Sequence, residues 1–204
     1  MKRKKGSFLI NLGLLLLAAA LCLTGYNIYE SKNAQAASEN AMVELGKVLA
    51  ELEDNTNETE TIPEYVMFPE KELPTLKIDK ERYIGILSIP SIDVSLPVMG
   101  GKWSYAKLRS APCRYYGSVY KDNMIIAAHN YSSHFGKINR LMEGDQVQFI
   151  DVDGNVFNYT VGWLEVLQPY EVEALKKEEN WDLTLFTCTF GGAERYVLRC
   201  VREK

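Results

Sequence analysis

The sequence predicts a small all-β barrel or sandwich carried behind an N-terminal apolar segment. Three observations lead there. About eight short stretches between residues 83 and 201 either alternate apolar with polar or run continuously apolar, and Gly, Pro, Asn and Asp punctuate them. Twelve tyrosines and many Val/Ile runs favour strands over helices in that region. Residues 1–5 carry four positive charges, and residues 8–23 are then apolar apart from Asn11 and Gly13.

That apolar run, extended through Tyr26 and Tyr29, is long enough to cross a bilayer. Its basic flank belongs on the cytoplasmic side and its aromatic end at the far interface, which leaves the rest of the chain extracytoplasmic. A cleaved signal peptide is the competing reading, because Ala34-Gln35-Ala36 has the small residues of a cleavage site. That tripeptide lies more than ten residues past the apolar run, beyond Glu30 and Lys32, so a retained anchor is preferred.

Residues 38–54 place Met42, Leu45, Val48, Leu49 and Leu52 at helical spacing, with Ser38 as a cap. Residues 54–60 are acidic, rich in Thr and Asn and without an apolar side chain, which predicts a linker. Pro63, Pro69 and Pro74 predict an extended segment laid along a surface. The organisation expected is a basic flank and anchor over 1–29, a helix and linker over 30–79, and a folded domain over 80–204.

Within that domain, 83–89 and 94–98 read as strands around a Pro90-Ser91-Ile92-Asp93 turn. A short helix is expected over 103–108. The apolar run 124–128 reads as a buried strand ending at His129, followed by a polar loop over 130–135 and a helical turn over 138–142. Residues 146–151 and 156–166 alternate around Asp153-Gly154-Asn155, a strong hairpin signal. A short helix or turn is expected over 170–177. Two last strands, 184–187 and 194–201, flank Thr189-Phe190-Gly191-Gly192-Ala193.

A net charge of −4, with no basic patch interleaved with aromatics beyond the N-terminus, argues against a nucleic-acid partner. The four cysteines, Cys22, Cys113, Cys188 and Cys200, share no C-x-x-C spacing, and two histidines are too few for a zinc site. Cys113 and Cys200 are read as buried free thiols, with a disulfide between them as the alternative.

The last hairpin puts a thiol, Cys188, at the end of one strand and a guanidinium, Arg195, at the start of the next. A thiol nucleophile needs a cationic neighbour, and a developing oxyanion needs a donor. His129, at the end of its own apolar strand, is the candidate general acid. Each residue taken alone reads more simply: a buried cysteine, a structural histidine, a solvated arginine. Together they place the groups of thioester acyl transfer at one rim of a small barrel. Arg199 rivals Arg195, because strand alternation puts both on one face. His134, in the loop, reads as solvated but carries the same chemistry as His129.

Thr184-Leu185-Phe186-Thr187-Cys188 resembles the T-L-x-T-C signature of the sortase family, with Arg195 at the family's short distance. Ala127-Ala128-His129 is similar to the sortase histidine segment. The resemblance covers roughly residues 83–202 and the anchor. It implies an eight-stranded sortase-type β-barrel with short helices, preceded by a transmembrane helix and a helical linker segment. It also implies a cysteine transpeptidase on the surface of a Gram-positive bacterium. Cys188 would cleave an LPXTG-like signal after its threonine and His129 would be acid, then base. Arg195 would stabilise the oxyanion and Thr187 would help to orient substrate.

The partners implied are surface proteins carrying C-terminal sorting signals and an amine acceptor from a peptidoglycan precursor or a pilin. Fifty-nine residues from His129 to Cys188 leave little room for the class B helical insertion, so a class A- or D-like enzyme is expected. Because some sortases use calcium, Asp151 and Asp153 with Glu165 or Glu171 are conceivable ligands. A charged turn is preferred, and neither a metal nor a cofactor is predicted. A cell-wall cysteine peptidase that hydrolyses, or a non-catalytic anchored β-module that binds wall polymer, are the alternatives. Residues 60–76 are a candidate cover for the site.

Overall fold

The computed structural model describes residues 3–55, 62–177 and 180–203. In chain order the elements are α1 (Arg3–Asn55), α2 (Glu64–Met67), β1 (Leu76–Ile78), β2 (Glu81–Ile89), β3 (Val94–Met99) and α3 (Tyr105–Leu108). Then follow β4 (Cys113–Tyr116), β5 (Met124–Ala127), β6 (Gln146–Asp151), β7 (Val156–Leu167), α4 (Val172–Lys176), β8 (Leu183–Cys188) and β9 (Arg195–Arg202). Single 3-10 turns occupy Pro90–Ile92, Val119–Lys121 and Ile138–Arg140.

Among the described residues, eight strands close into a barrel in the order β2-β3-β4-β5-β8-β9-β7-β6, and β6 returns to β2. Short β1 is added to the start of β2. The β3–β4 and β5–β8 pairs are parallel and the others antiparallel. Closure needs β2 and β6 to approach closely at one point. Gly85 sits there with φ +156°, and a Cβ on it would lie 2.0 Å from the Ile150 carbonyl oxygen. A side chain at that position would force the seam apart.

Strand alternation sorts the apolar residues into an inside and an outside. Leu87, Val98, Ile126, Phe149, Phe157, Leu185 and Leu198 are among those that fill the interior. Two outer clusters are covered by other elements. One, with Ile86, Met99, Cys113 and Ala127, lies under α1; the other, with Ile125 and Val197, lies under Leu175 and Trp181.

The α1 helix is continuous through the position where a second helix was expected to begin. Ser38 is inside it and is not a cap. No Gly or Pro falls between Gly25 and Gly46, and the Ala-rich 34–37 stretch favours helix, so nothing breaks the hydrogen-bond ladder there. At 1.5 Å per residue its 53 residues extend about 80 Å. Its N-terminal part contains an 18-residue window apolar enough to cross a membrane, none of it buried. Farther along, Ala34, Ser38, Ala41 and Leu45 form a buried stripe at 4-3-4 spacing that seats the helix on the barrel's outer face. Most of the expected 54–60 linker lies outside the described residues.

Of the proline-rich segment, residues 62–75 lie along the barrel as a short helix and turns. Tyr65 stacks on Tyr120 with centroids 4.8 Å apart and meets Phe157 at 5.2 Å. Lys71 pairs with Glu64, and Lys121 with Glu70.

Cys113 and Cys200 are free thiols on β4 and β9, with β5 and β8 between them, so they do not pair. Burial pushes the Cys113 thiol up to about 12 and raises that of Cys200 as well.

Candidate active site

Three neighbouring strand ends build the site. Parallel β5 and β8 pair with a constant offset of 59, from Met124↔Leu183 to Ala127↔Phe186. The Ala128 N–H continues the ladder by donating to the Phe186 carbonyl at 3.1 Å. Carried two residues further, the same offset sets His129 beside Cys188. On the other side of β8, Cys188 pairs directly with Arg195 of β9. With strands about 4.8 Å apart, the thiol lies between an imidazole and a guanidinium on adjacent strands.

Residues in register across these strands point to one face. Ala127, Phe186 and Val197, two residues back from the three polar ones, line the same cavity as they do. The face is the barrel's outer one, not the rim of its interior, since Leu185 and Leu198 of the intervening positions fill the core. Trp103, Tyr105 and Leu108 of the α3 segment wall the cavity on one side, with Tyr115 of β4. The β7–α4 segment, with Leu167, Pro169 and Leu175, walls it on the other. Its volume is about 250 Å³ and its lining is largely apolar. Both His129 and Cys188 are half-buried.

The loops are tied together. The Thr187 hydroxyl donates to the Ala128 carbonyl at 2.8 Å, and Thr187 is 2% exposed. Its polar atom therefore locks β8 to the backbone just before His129, although the residue edges the cavity. Asn130 Nδ2 donates to the Thr189 carbonyl at 3.4 Å. Thr189 closes the glycine turn by exchanging bonds with Glu194, and Gln168 Nε2 reaches Glu194 at 3.1 Å. Gly191 and Gly192, at φ +89° and +78°, give that turn the left-handed backbone it requires.

The two arginines separate sharply. Arg199 is 3% exposed; it donates to Glu165, Thr184 Oγ1 and the Leu175 and Ala174 carbonyls, and stacks on Trp181 at 4.9 Å. It shares a face with Arg195, as alternation required, but α4 covers it and it does not line the cavity. Arg195 lines the cavity, and its Nη1 donates to the Gly192 and Glu194 carbonyls.

The histidines separate too. His129 stacks on Tyr131 with centroids 4.7 Å apart. Burial and then the nearby Arg109 charge lower its pKa, against a smaller opposite pull from Glu30. His134 is fully buried rather than solvated, because α1 covers it. The single proton of Ser38 Oγ goes to the Ser110 carbonyl at 2.8 Å, so His134 Nε2, 3.4 Å away, must donate to that oxygen. His134 Nδ1 has no partner, and burial lowers its pKa to about 4.

Three of the four carboxylates named for calcium have other partners. Asp151 accepts from the Asp153 and Asn155 N–H groups, Asn155 Nδ2 and Tyr120 Oη. Glu165 holds Arg199, and Glu171 accepts from the Gln168 N–H. No cluster of three or more His, Cys, Asp or Glu residues fit to hold a metal occurs among the described residues. No residue of 62–76 lines the cavity, so that segment does not cover it. Sequence reasoning missed the aromatic wall, Trp103, Tyr105 and Tyr115, and the support behind His129 from Tyr131, Arg109 and Glu30. The aromatics near residues 103–105 were the only local signal.

A family model described as Sortase domain matches residues 87–203. The chain belongs to the sortase family. It is 29% identical over 133 residues to sortase A of Bacillus anthracis, which spans 62% of the chain and 63% of that protein. Against sortase A of Listeria monocytogenes it is 30% identical over 114 residues, 54% of the chain and 51% of the relative. The chain thus spans between half and two thirds of the length of the curated relatives it matches. Among solved structures, the Clostridium perfringens sortase D5 transpeptidase aligns with a TM-score of 0.56 at 22% identity, covering 78% of this chain and 98% of that one. Corynebacterium diphtheriae sortase A (lid mutant) gives 0.55 at 20%, covering 82% and 96%. These two likenesses carry the fold of the eight-stranded sortase barrel; the apolar N-terminal helix is this chain's own.

Proposed function

We propose that this sortase is a membrane-anchored cysteine transpeptidase of class A- or D-like type. Cys188 is its nucleophile, His129 its general acid and base, and Arg195 its oxyanion donor. One observation carries the reading: these three side chains end adjacent strands and line a single cavity.

The reaction follows from the groups. Cys188 gives its thiol proton to His129, and the thiolate attacks the carbonyl of the scissile bond in a bound sorting signal of LPXTG-like sequence, after its threonine. A carbon–sulfur bond forms and the oxyanion is held by the Arg195 guanidinium, which turns from its own turn's carbonyls toward the cavity. The carbon–nitrogen bond breaks, and the departing amine takes a proton from His129. An amino nucleophile of a peptidoglycan precursor or a pilin then attacks the thioester. His129 takes that amine's proton and the thiolate leaves. Thr187 acts by holding the strand ends in register. No metal or cofactor enters these steps.

The N-terminal part of α1 spans the membrane, with its basic flank cytoplasmic and the barrel outside. Residues 1–29 form the flank and anchor, 30–79 the connecting segment, and 80–204 the catalytic domain. Burial of Ala34 against the barrel favours retention of the helix over cleavage near that residue. The partners are surface proteins with C-terminal sorting signals.

The test is product partition. The chain is incubated with threonine–glycine peptides with and without an added amine acceptor. Ligated product that grows with acceptor concentration, and vanishes in Cys188→Ala, is expected. Hydrolysis indifferent to the acceptor would indicate a peptidase instead.

A further inference from the structure

On the acyl-transfer reading of the site, His129 must hold one orientation through its proton transfers. The loop that carries it is tightly wound. The Phe135 N–H donates to the His129 carbonyl at 3.1 Å, and the His134 and Gly136 N–H groups donate to the Tyr131 carbonyl at 2.9 Å. A Cβ on Gly136 would lie 2.5 Å from the Asn130 carbonyl oxygen, so the two arms of the loop touch. Three rings follow one another along it. His129 and Tyr131 stack at 4.7 Å with 22° between their planes, and Tyr131 meets His134 at 5.6 Å. Beyond His134 lies α1. The buried His134 donates from Nε2 to Ser38 Oγ at 3.4 Å, and the buried Ser38 donates on to the Ser110 carbonyl at 2.8 Å. Phe135, the next residue of the loop, packs into the barrel core.

We propose that Ser38 of α1 and His134 are a positioning pair for His129, acting through the ring of Tyr131. On this reading α1 does more than tether the barrel, because its seat steadies the catalytic loop. The buried stripe of Ala34, Ser38, Ala41 and Leu45 fixes the register at which the hydroxyl arrives. An unseated helix would leave the His134 Nε2–H to water and the far end of the row of rings without support. Burial holds His134 neutral at the pH where His129 cycles, so the row never carries two positive imidazoles. His134 thus supports the catalytic ring without competing for its proton. The other charged or titratable groups near His129 are Glu30 of α1, Arg109, Tyr131, Cys188 of β8 and Arg195 of β9.

The chain has only two histidines, so proton–carbon NMR of the imidazoles in the full chain, held in detergent or nanodiscs, reads each one separately. Tyr131 stacked on His129 shifts the His129 ring protons upfield, and that signal reports the stack directly. Ser38→Ala suits both the helix and its small-residue seat. Ser38→Ala and His134→Leu should each lower kcat about threefold to tenfold with KM unchanged, as misorientation of a catalytic group does. Each should also move the His129 ring signal toward its unstacked position. His134→Gln, whose amide nitrogen stands in for Nε2, should recover part of the His134→Leu loss. Because the two residues form one link, the double variant Ser38→Ala, His134→Leu should lose no more than the worse single. A role in stability alone would lower the melting temperature and leave kcat per folded molecule and the His129 signal as in the parent. That result in Ser38→Ala and His134→Leu would overturn the proposal, as would losses confined to KM or losses that multiply in the double variant. If His134→Leu does not fold, Ser38→Ala and His134→Gln decide by the same kinetic and ring signals. Failure of the parent to form any acyl adduct would overturn the acyl-transfer reading instead, and the His129 ring signal would still judge the pair.

Discussion

Two arginines four residues apart on β9 have opposite duties. The buried Arg199 guanidinium is held by Thr184 and the Leu175 carbonyl, both out of water, and by the partly exposed Glu165 and Ala174 carbonyl. Removing it leaves those acceptors unpaired and Glu165 without its cation. Arg199→Ala should therefore cost about 1–3 kcal/mol of unfolding free energy, read by urea denaturation. Arg195→Ala should change stability by less than about 0.5 kcal/mol, since its present partners lie in an exposed turn. Its acylation rate should fall about 100-fold or more, the loss typical of a missing oxyanion donor. Equal stability losses in the two variants would contradict this division. Alternation along the strand put both arginines on one face, and sequence could go no further. What separates them is that α4 lands on one of them, a contact made by residues more than twenty positions away.

At the scale of elements, the site depends on β5 and β8 keeping their offset of 59. The Thr187 hydroxyl bond to Ala128 pins that offset at the last pair before His129 and Cys188. Thr187→Val keeps the shape and leaves the carbonyl unpaired. We expect a loss of about 1–2 kcal/mol in stability, from chemical denaturation, together with a fall in kcat. Unchanged turnover would show that the bond does not set the geometry. Strong local chemistry made some elements legible. Asp153-Gly154-Asn155 between alternating runs located β6 and β7 to within a residue, and the run ending at Cys188 located β8. Strand β4 was missed because its four residues, Cys-Arg-Tyr-Tyr, follow a proline and pair with β3 at only one register position. Strand β1 has three residues and no period to detect. The continuity of α1 was hidden by a polar stretch around residue 33 that reads as a boundary but has no helix breaker.

For the molecule as a whole, α1 is also a lid on a buried imidazole. His134 sits with pKa about 4 folded against 6.5 for the ordinary side chain. Between those values the unfolded chain binds the extra proton. Stability is then full above pH 6.5, falls as pH drops from 6.5 toward 4, and loses nothing further from this group below that. The loss amounts to about 3 kcal/mol at most. Thermal denaturation across pH 4–7.5 should show it, and His134→Asn should flatten the curve. An unchanged slope in that variant would assign the acid sensitivity elsewhere. His134 was read as solvated because its loop is polar. Only the packing of a helix nearly a hundred residues earlier in the chain buries it. His129, Cys188 and Arg195 were visible because each lies at, or just beyond, an end of a strand.

The claim on which the rest depends is that Cys188, flanked by His129 and Arg195, carries the acyl group. Intact-mass and peptide-mapping mass spectrometry of the full-length chain, quenched in acid after incubation with sorting-signal peptides, tests it most directly. The account predicts an adduct on Cys188 whose mass ends at the substrate's threonine, absent from Cys188→Ala and strongly reduced in His129→Ala. An adduct on another residue, or peptide cleavage that proceeds equally without the Cys188 thiol, would contradict it.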